Sequence, residues 1–212
     1  MTEKLCLLDW NGTIQDDLHH IYECGVQRIF RHFGLPCPDI DRYRDEVTAD
    51  FMIFYRAHGI PAAVTADDLN AIMAEGFKEK GTPPPLFPDA AETVRELAFR
   101  GYRLAVVSGY ATPKLRAAVD RSGLGHLFER VIGDVRDKPA ALTSCFDPTE
   151  RPAVLAKLGD TVEDLVAAHK IGATPYICPR GFHTRERIES HRHEAPSLVV
   201  IETLTDVLDH LR

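Results

Sequence analysis

Four polar residues each follow a short apolar run of the sequence, and their side chains have the chemistry of a catalytic or binding site. The four are Asp9, Ser108, Lys138 and Asp160. Two carboxylates at one place repel each other unless a cation lies between them, and oxygen ligands of this kind suit Mg²⁺. A hydroxyl and an ammonium group beside that cation would suit a phosphate. The four residues therefore predict a site for Mg²⁺ and a phosphorylated ligand, provided that the fold brings them together.

The order of the apolar runs predicts a sheet that would do so. Strands are predicted at residues 4–8, 104–107, 130–132, 153–158, 175–178 and near 198, and from residue 91 onward helices alternate with them. Such alternation is typical of an α/β protein with a doubly wound, mostly parallel sheet, a Rossmann-like core. Ligands bind at the carboxyl ends of the strands in these sheets. The four polar residues lie at those ends.

The segment from residue 16 to residue 83 has a different pattern. Its apolar residues recur at spacings of three and four, which predicts helices, and it contains no convincing alternating strand. The run Pro83-Pro84-Pro85 then makes the chain stiff and extended. We therefore predict an all-helical unit over residues 16–83, inserted into an α/β core made of residues 1–15 and 84–212.

The ordered motifs resemble those of the haloacid dehalogenase-like hydrolases. The segment from Asp9 to Thr13, then Ser108, Lys138 and the segment from Gly159 to Asp164, stand in the order of that family's four motifs. Each motif alone is weak, whereas four in order over nearly the whole chain are a specific signal. The helical insertion resembles the small cap of the phosphoglycolate phosphatase-like branch, and the segment 86–90 resembles that branch's return into the core.

The resemblance implies that Asp9, Asn11 and Lys138 occupy the catalytic positions and that Ser108, Gly109 and Lys138 bind the phosphate. Asp9 would be the nucleophile that attacks phosphorus and becomes an aspartyl phosphate. Lys138 would neutralise negative charge as it develops on the phosphoryl oxygens. Ser108 would donate a hydrogen bond to the phosphoryl group, together with backbone amides near Gly109.

The resemblance also implies the ligands of a metal ion. Mg²⁺ would be held by the carboxylates of Asp9 and Asp160 and by the backbone carbonyl of Asn11. Asp164 lies one helical turn beyond Asp160 and would orient either a water molecule on the metal or Lys138. Thr13 is expected to stabilise the turn rather than to touch the substrate.

Asn11 departs from the pattern of the family's phosphatases. In those enzymes the residue two beyond the nucleophile is an aspartate, which protonates the leaving group and then activates water. An amide does not exchange a proton usefully near neutral pH, and a general acid or base is typically worth about 10²- to 10⁴-fold in rate. We therefore expect Mg²⁺ and phosphate to bind at a site that handles protons poorly.

Several interpretations of Asn11 stay open. The protein is expected to be a slow Mg²⁺-dependent phosphatase for a small phosphorylated metabolite, with another proton donor or with a substrate whose leaving group departs easily. The alternative is a catalytically silent protein that binds a phosphorylated metabolite or regulates another process. An asparagine introduced to trap a complex is a further possibility.

Two other chemistries of the family are weaker hypotheses. The 2-haloacid dehalogenases also lack an acid at this position, but they need no metal, whereas the paired carboxylates of Asp160 and Asp164 favour a cation. Phosphonatases use a cap lysine as a Schiff base. Lys78 and Lys80 are present, but they stand near the end of the insertion without a distinctive pattern.

Composition and charge exclude several other classes of protein. The chain of 212 residues is 44% hydrophobic and 27% charged, as in ordinary globular proteins. Its net charge is −7 and its basic residues are scattered, which argues against a nucleic-acid partner. The apolar runs are far shorter than the about 20 residues of a transmembrane helix, and the N-terminal residues lack the apolar stretch of a secretory signal. We expect a cytoplasmic protein without a membrane partner; its oligomeric state is left open.

The cysteines and histidines give no metal pattern. Five cysteines without a CxxC pair are expected to be reduced, mostly structural thiols. Cys178, His183, His191 and His193 share a C-terminal stretch, but their spacing matches no compact zinc site. We therefore predict a solvated, histidine-rich loop there.

Overall fold

The computed structural model describes residues 3–211 of the chain. These residues form two compact units. The first, here called the core, contains the residues up to Asp16 and those from Leu86 onward; the second, here called the helical unit, is Asp17–Pro85. Among residues 3–211, no helix combines the length and the apolar character that crossing a bilayer requires.

The residue at which the chain leaves the core and the residue at which it returns lie side by side. Gln15 and Leu86 form an antiparallel β-bridge. Next to it, the Phe87 N–H donates a hydrogen bond of 3.0 Å to the Ile14 carbonyl. The core therefore holds the exit and the return of the chain with its own backbone hydrogen bonds.

The core is built on a six-stranded sheet in the order β3-β2-β1-β4-β5-β6. Every neighbouring pair of strands is parallel. The strands are β1 (Lys4–Leu8), β2 (Arg103–Val107), β3 (Arg130–Ile132), β4 (Val154–Gly159), β5 (Thr174–Ile177) and β6 (Val199–Val200). Leu8 of β1 lies opposite both Val106 and Leu158, so β1, β2 and β4 end at one edge of the sheet.

The helical unit contains five α-helices and no β-strand over Asp17–Pro85. The helices are α1 (Leu18–Ile21), α2 (Gln27–His32), α3 (Ile40–Glu46), α4 (Phe51–Ala57) and α5 (Ala66–Lys80), and a π-helical segment, Tyr22–Val26, joins α1 to α2. Thr65 begins α5 with a capping box, in which its side chain and that of Asp68 bond each other's backbone N–H. The rings of Phe30, Phe54 and Tyr55 pack together inside the unit.

Helices cover both faces of the sheet. They are α6 (Ala90–Phe99), α7 (Thr112–Ser122), α8 (Lys138–Thr143), α9 (Val162–Lys170), α10 (Arg185–Ser190) and α11 (Val207–His210). Alternate residues of β1 enter opposite clusters: Cys6 and Leu8 pack with α6 and α7, whereas Leu5 and Leu7 pack with α8 and α9. The apolar runs of the strands follow from this two-sided burial. The prediction of a doubly wound parallel α/β fold is confirmed.

Candidate active site

The parallel strands bring the predicted polar residues to the carboxyl edge of the sheet. Asp9, Ser108 and Asp160 follow β1, β2 and β4, and all three side chains are buried. The backbone continues the strand pairing at two of them, because the Asp9 N–H donates to the Leu158 carbonyl and the Ser108 N–H to the Ile132 carbonyl, each at 3.0 Å. The positions of these side chains are therefore fixed by the sheet itself.

A tight turn directly after Asp9 fixes the next residues. The Trp10 carbonyl accepts hydrogen bonds of 2.9 Å from the N–H groups of Ile14 and Gln15. The buried Trp10 ring also donates from Nε1 to Gln15 Oε1 at 2.9 Å. The turn places Asn11, which is half-buried, at the carboxyl edge of the sheet.

Ser108 and Asn11 approach each other across this edge. The Ser108 hydroxyl lies 3.4 Å from Asn11 Oδ1 as a long hydrogen bond, and it accepts from the Tyr110 N–H at 3.2 Å. Gly109, the next residue, is exposed. The predicted phosphate-binding serine thus lies beside the residue that replaces the family's acid.

Asp160 is held by two donors from neighbouring loops. Thr13 donates its hydroxyl to Oδ1 at 2.8 Å, and the Phe182 N–H donates to Oδ2 at 2.7 Å. Burial raises the pKa of Asp160 well above its usual value, and the charges of Asp164 and Asp9 raise it further. A cation bound nearby would relieve this repulsion.

The two carboxylate oxygens of Asp164 have different partners: one bonds the start of a helix and the other contacts two lysines. Oδ2 accepts from the Thr161 hydroxyl at 2.7 Å, and Thr161 with Asp164 forms the capping box that begins α9. Oδ1 lies 2.7 Å from Lys138 Nζ and 2.6 Å from Lys157 Nζ. Burial alone would raise the pKa of Asp164, but the two ammonium groups hold it well below its usual value.

Lys138 contacts two carboxylates, those of Asp164 and of Asp9, the candidate nucleophile. Its Nζ lies 3.4 Å from Asp9 Oδ1, and its side chain is 17% exposed. Burial acts to lower the pKa of Lys138, but Asp164 and Asp9 raise it above its usual value, so the ammonium stays charged. Asp137 fixes the start of α8 by accepting from the Ala140 N–H at 3.0 Å.

The carboxylates have the geometry of a cation site. One oxygen from each of Asp9, Asp160 and Asp164 lies within 4.8 Å of the others, the only such group of acidic, histidine or cysteine ligands among residues 3–211. Asp9 Oδ1 is buried and, within the described chain, accepts no hydrogen bond. Three buried carboxylates this close together, one of them with an oxygen whose ion pair with Lys138 is long at 3.4 Å, fit a hard cation such as Mg²⁺. Since Asp164 is occupied by the helix start and the lysines, Asp9 and Asp160 are the better ligands.

Two features of the site were not found by sequence reasoning. Lys157 is a fully buried lysine inside β4; its only signal is one charged residue in an apolar run. Arg180 lies over the Phe87 ring at 3.8 Å, pairs with Asp89 at 2.9 Å and donates to the Thr13 carbonyl at 3.2 Å. Arg180 thereby connects the turn after β1 to Phe87 and Asp89, where the chain returns to the core.

The prediction of a solvated loop was wrong for His183 and Cys178. Both side chains are buried. His183 Nδ1 accepts from the Val162 N–H at 2.9 Å, because the first N–H groups of α9 lack partners within the helix. Cys178 donates to the Glu202 carbonyl at 3.1 Å. His193 is exposed and His191 half-buried.

Gly12 packs directly against Asp160. Its φ is +70°, in the left-handed region, and a Cβ there would lie 2.3 Å from Asp160 Oδ2. We expect Gly12→Ala to lower both the stability and the Mg²⁺ affinity. The backbone conformation would cost about 1–2 kcal/mol, and overpacking against Asp160 about 1–3 kcal/mol more.

Gly123→Ala is the matched control for this prediction. Gly123 also has a φ of +70°, but an added Cβ would meet nothing within 4 Å. Thermal melting and calorimetric titration with Mg²⁺ would compare the two variants. Equal losses of stability with unchanged Mg²⁺ affinity in Gly12→Ala would contradict the steric argument.

The doubly wound parallel sheet with three clustered carboxylates at its carboxyl edge defines a Rossmann-like protein with a candidate cation site. Residues 3–172 match the family model of the haloacid dehalogenase-like hydrolases. The chain belongs to this family, and the predicted resemblance is confirmed.

Relatives and solved structures are consistent with this assignment. The probable phosphatase IndB of Dickeya dadantii is 24% identical over 220 residues, covering 97% of this chain and 92% of its own. The phosphoglycolate phosphatase of Pasteurella multocida is 27% identical over 186 residues, covering 80% and 82%. A crystal structure described as a predicted phosphoglycolate phosphatase from Haemophilus somnus has a TM-score of 0.75 at 18% identity, covering 100% of this chain and 99% of that one. The prediction of a hydrolase of the phosphatase type is confirmed by the family model and by the phosphatase names of these relatives.

Proposed function

We propose that the protein is a Mg²⁺-dependent phosphatase that hydrolyses a small phosphorylated metabolite through an aspartyl phosphate on Asp9. The observation that carries the proposal is the buried Asp9 carboxylate, which lies 3.4 Å from the Lys138 ammonium and in one cluster with Asp160. A nucleophile, a cation for the phosphoryl group and a metal ligand thus share one sheet edge. The names of the relatives support a phosphate ester, rather than a halogenated acid, as the substrate.

In the first step, Asp9 attacks phosphorus. A P–O bond forms to the carboxylate, and the bond from phosphorus to the leaving oxygen breaks. Lys138 stabilises the charge that spreads over the phosphoryl oxygens, and Ser108 with the amides near Gly109 binds and orients the group. Water then attacks phosphorus: a P–O bond forms to the water oxygen, the bond between phosphorus and the Asp9 carboxylate breaks, and both hydrogens of the water leave with the phosphate as H₂PO₄⁻, which restores the Asp9 carboxylate.

Asp9, Asp160 and the backbone carbonyl of Asn11 would hold Mg²⁺. When bound, the ion would offset the negative charge of the phosphate, which otherwise repels an attacking carboxylate. The hydroxyl of Thr13 and the Phe182 N–H orient Asp160 for this task. Asp164 is assigned to Lys138 rather than to the metal, because its Oδ1 lies 2.7 Å from that ammonium.

Asn11 determines which substrates are turned over quickly. Its amide cannot protonate a leaving oxygen, and Lys138 is held charged by two carboxylates. Substrates whose leaving group departs without a proton, such as acyl or aryl phosphates, should therefore react faster than alkyl phosphates. We assign substrate choice to the helical unit, since the core residues recognise only the phosphoryl group.

A second candidate function is binding without turnover. Asn11 favours it, because a site that binds Mg²⁺ and phosphate but lacks the proton-transfer group can hold a phosphorylated metabolite unchanged. Such a protein would be stabilised against thermal unfolding by its ligand without releasing phosphate.

Removal of Mg²⁺ is expected to stop catalysis. We expect phosphate release from p-nitrophenyl phosphate to require Mg²⁺ and to cease in excess EDTA, because Asp9, Asp160 and the phosphate would then repel one another. Restoring Mg²⁺ should restore the rate, and circular dichroism would show that the fold persists in EDTA. Undiminished release in EDTA would contradict the proposal. Stabilisation by phosphate with no release under any condition would favour the binding protein.

A further inference from the structure

Lys157 is the one lysine or arginine with a buried side chain in the described chain, residues 3–211. It lies in the middle of the sheet, where β4 pairs it with Leu7 on one side and Pro175 on the other. Its side chain is fully buried. Burying an ammonium group is costly unless it is paired, and an apolar side chain of similar volume is often at least as stable. Packing alone does not account for a lysine here.

The Lys157 ammonium joins two parts of the site. It lies 2.6 Å from Asp164 Oδ1 and donates to the Leu158 carbonyl at 2.6 Å. The same carbonyl accepts the Asp9 N–H at 3.0 Å. Lys157 therefore touches both the carboxylate that pairs with Lys138 and the peptide group that fixes Asp9.

The charges of the site depend on this second ammonium. Asp9, Asp160 and Asp164 are three buried carboxylates, and Lys138 and Lys157 are the cations that face them. Both lysines share one oxygen of Asp164. Without Lys157, Lys138 alone would have to balance Asp164 and Asp9, and less of its charge would be available to a phosphoryl group.

We propose that Lys157 is a positioning residue that neutralises Asp164, so that the charge of Lys138 is directed to Asp9 and the phosphoryl group. The inference rests on the proposed function of the same site. Lys157 does not touch the substrate; it acts through Asp164 and Lys138.

An electrostatic role has a signature that a purely structural role lacks. Removing Lys157 makes the site more negative, so Mg²⁺ should bind more tightly and inorganic phosphate more weakly. General loosening of the core would weaken both ligands. The two affinities therefore change in opposite directions only if Lys157 acts through its charge.

The test is calorimetry of Lys157→Met with Mg²⁺ alone and then with inorganic phosphate at saturating Mg²⁺. We expect phosphate affinity to fall on the order of 10- to 100-fold, because one unit of positive charge near the anion is lost in a partly buried site, and Mg²⁺ affinity to rise. Lys170→Met is the matched control: Lys170 is exposed at the end of α9, so the same loss of charge should leave both affinities unchanged.

A second comparison covers the case in which Lys157→Met does not fold, since an unpaired buried Asp164 is destabilising. The double variant Lys157→Met with Asp164→Asn removes both charges and keeps the net charge of the site, so it should fold and bind phosphate more tightly than a folded Lys157→Met. The variant Asp164→Asn alone, which leaves Lys157 uncompensated, should bind Mg²⁺ more weakly than the double variant.

Defined results would overturn the inference. Parallel losses of both affinities in Lys157→Met, no change in either, or phosphate binding in the double variant as weak as in a folded Lys157→Met would show that Lys157 only supports the fold. These outcomes leave the proposed phosphatase intact, because that proposal is judged on Mg²⁺-dependent turnover of the wild-type protein.

Discussion

Asp9→Asn is expected to abolish phosphate release while the protein stays folded. The carboxylate is the proposed nucleophile, and removal of a nucleophile that forms a covalent intermediate lowers the rate on the order of 10⁴-fold or more. The amide has nearly the same shape, and it removes one of three clustered buried carboxylates, so the free energy of unfolding should not fall. The measurement is phosphate release from p-nitrophenyl phosphate with Mg²⁺, next to thermal melting.

The control for this variant is Asp120→Asn. Asp120 is an exposed aspartate near the end of α7 and does not belong to the carboxylate cluster. Its activity should equal that of the wild type. Full activity of Asp9→Asn would contradict the aspartyl-phosphate mechanism, and a wild-type rate that is already zero would favour the binding protein.

Asn11→Asp is expected to accelerate alkyl phosphate hydrolysis by about 10²- to 10⁴-fold, the typical contribution of a general acid or base. Aryl and acyl phosphates should gain much less in the step that expels the leaving group, because their leaving groups need no proton. Asn11 is half-buried and its Oδ1 lies 3.4 Å from the Ser108 hydroxyl, so an aspartate would stand at the phosphate-binding edge. The measurement is kcat/KM for a matched alkyl and aryl pair.

The chain offers a matched control for this change. Asn70, the other asparagine in the sequence, is exposed on α5. Asn70→Asp makes the same chemical change and should alter neither substrate's kcat/KM. Equal gains for alkyl and aryl phosphates in Asn11→Asp would show that proton transfer to the leaving group is not what limits the natural protein.

The sheet and its polar edge were predictable because their signals are local. Each central strand is an apolar run buried on both faces, and a polar residue follows directly where the run ends, as at Asp9 and Asp160. Parallel pairing then places those ends at the same edge of the sheet whatever the order of the strands. The chemical roles assigned to these residues stay predictions.

The supporting residues were not predictable because their partners are distant in sequence. A single lysine in an apolar run also fits an edge strand, where lysine is common; only the strand order places Lys157 in the middle of the sheet beside Asp164. His183 likewise bonds a helix start 21 residues earlier. Arg180 pairs with Asp89 across 91 residues. Such contacts depend on tertiary packing, which residue type and spacing do not encode.

The bridge between Gln15 and Leu86 has a consequence for how this chain can change. Because the core closes its own gap there, everything between the two residues is topologically a long hairpin loop. Loops whose ends are held together tolerate exchange and changes of length, since the entropy of closure grows only slowly with length. The helical unit can thus be replaced, shortened or duplicated, during evolution or in the laboratory, while the parallel sheet and the carboxylates at its edge stay unaltered.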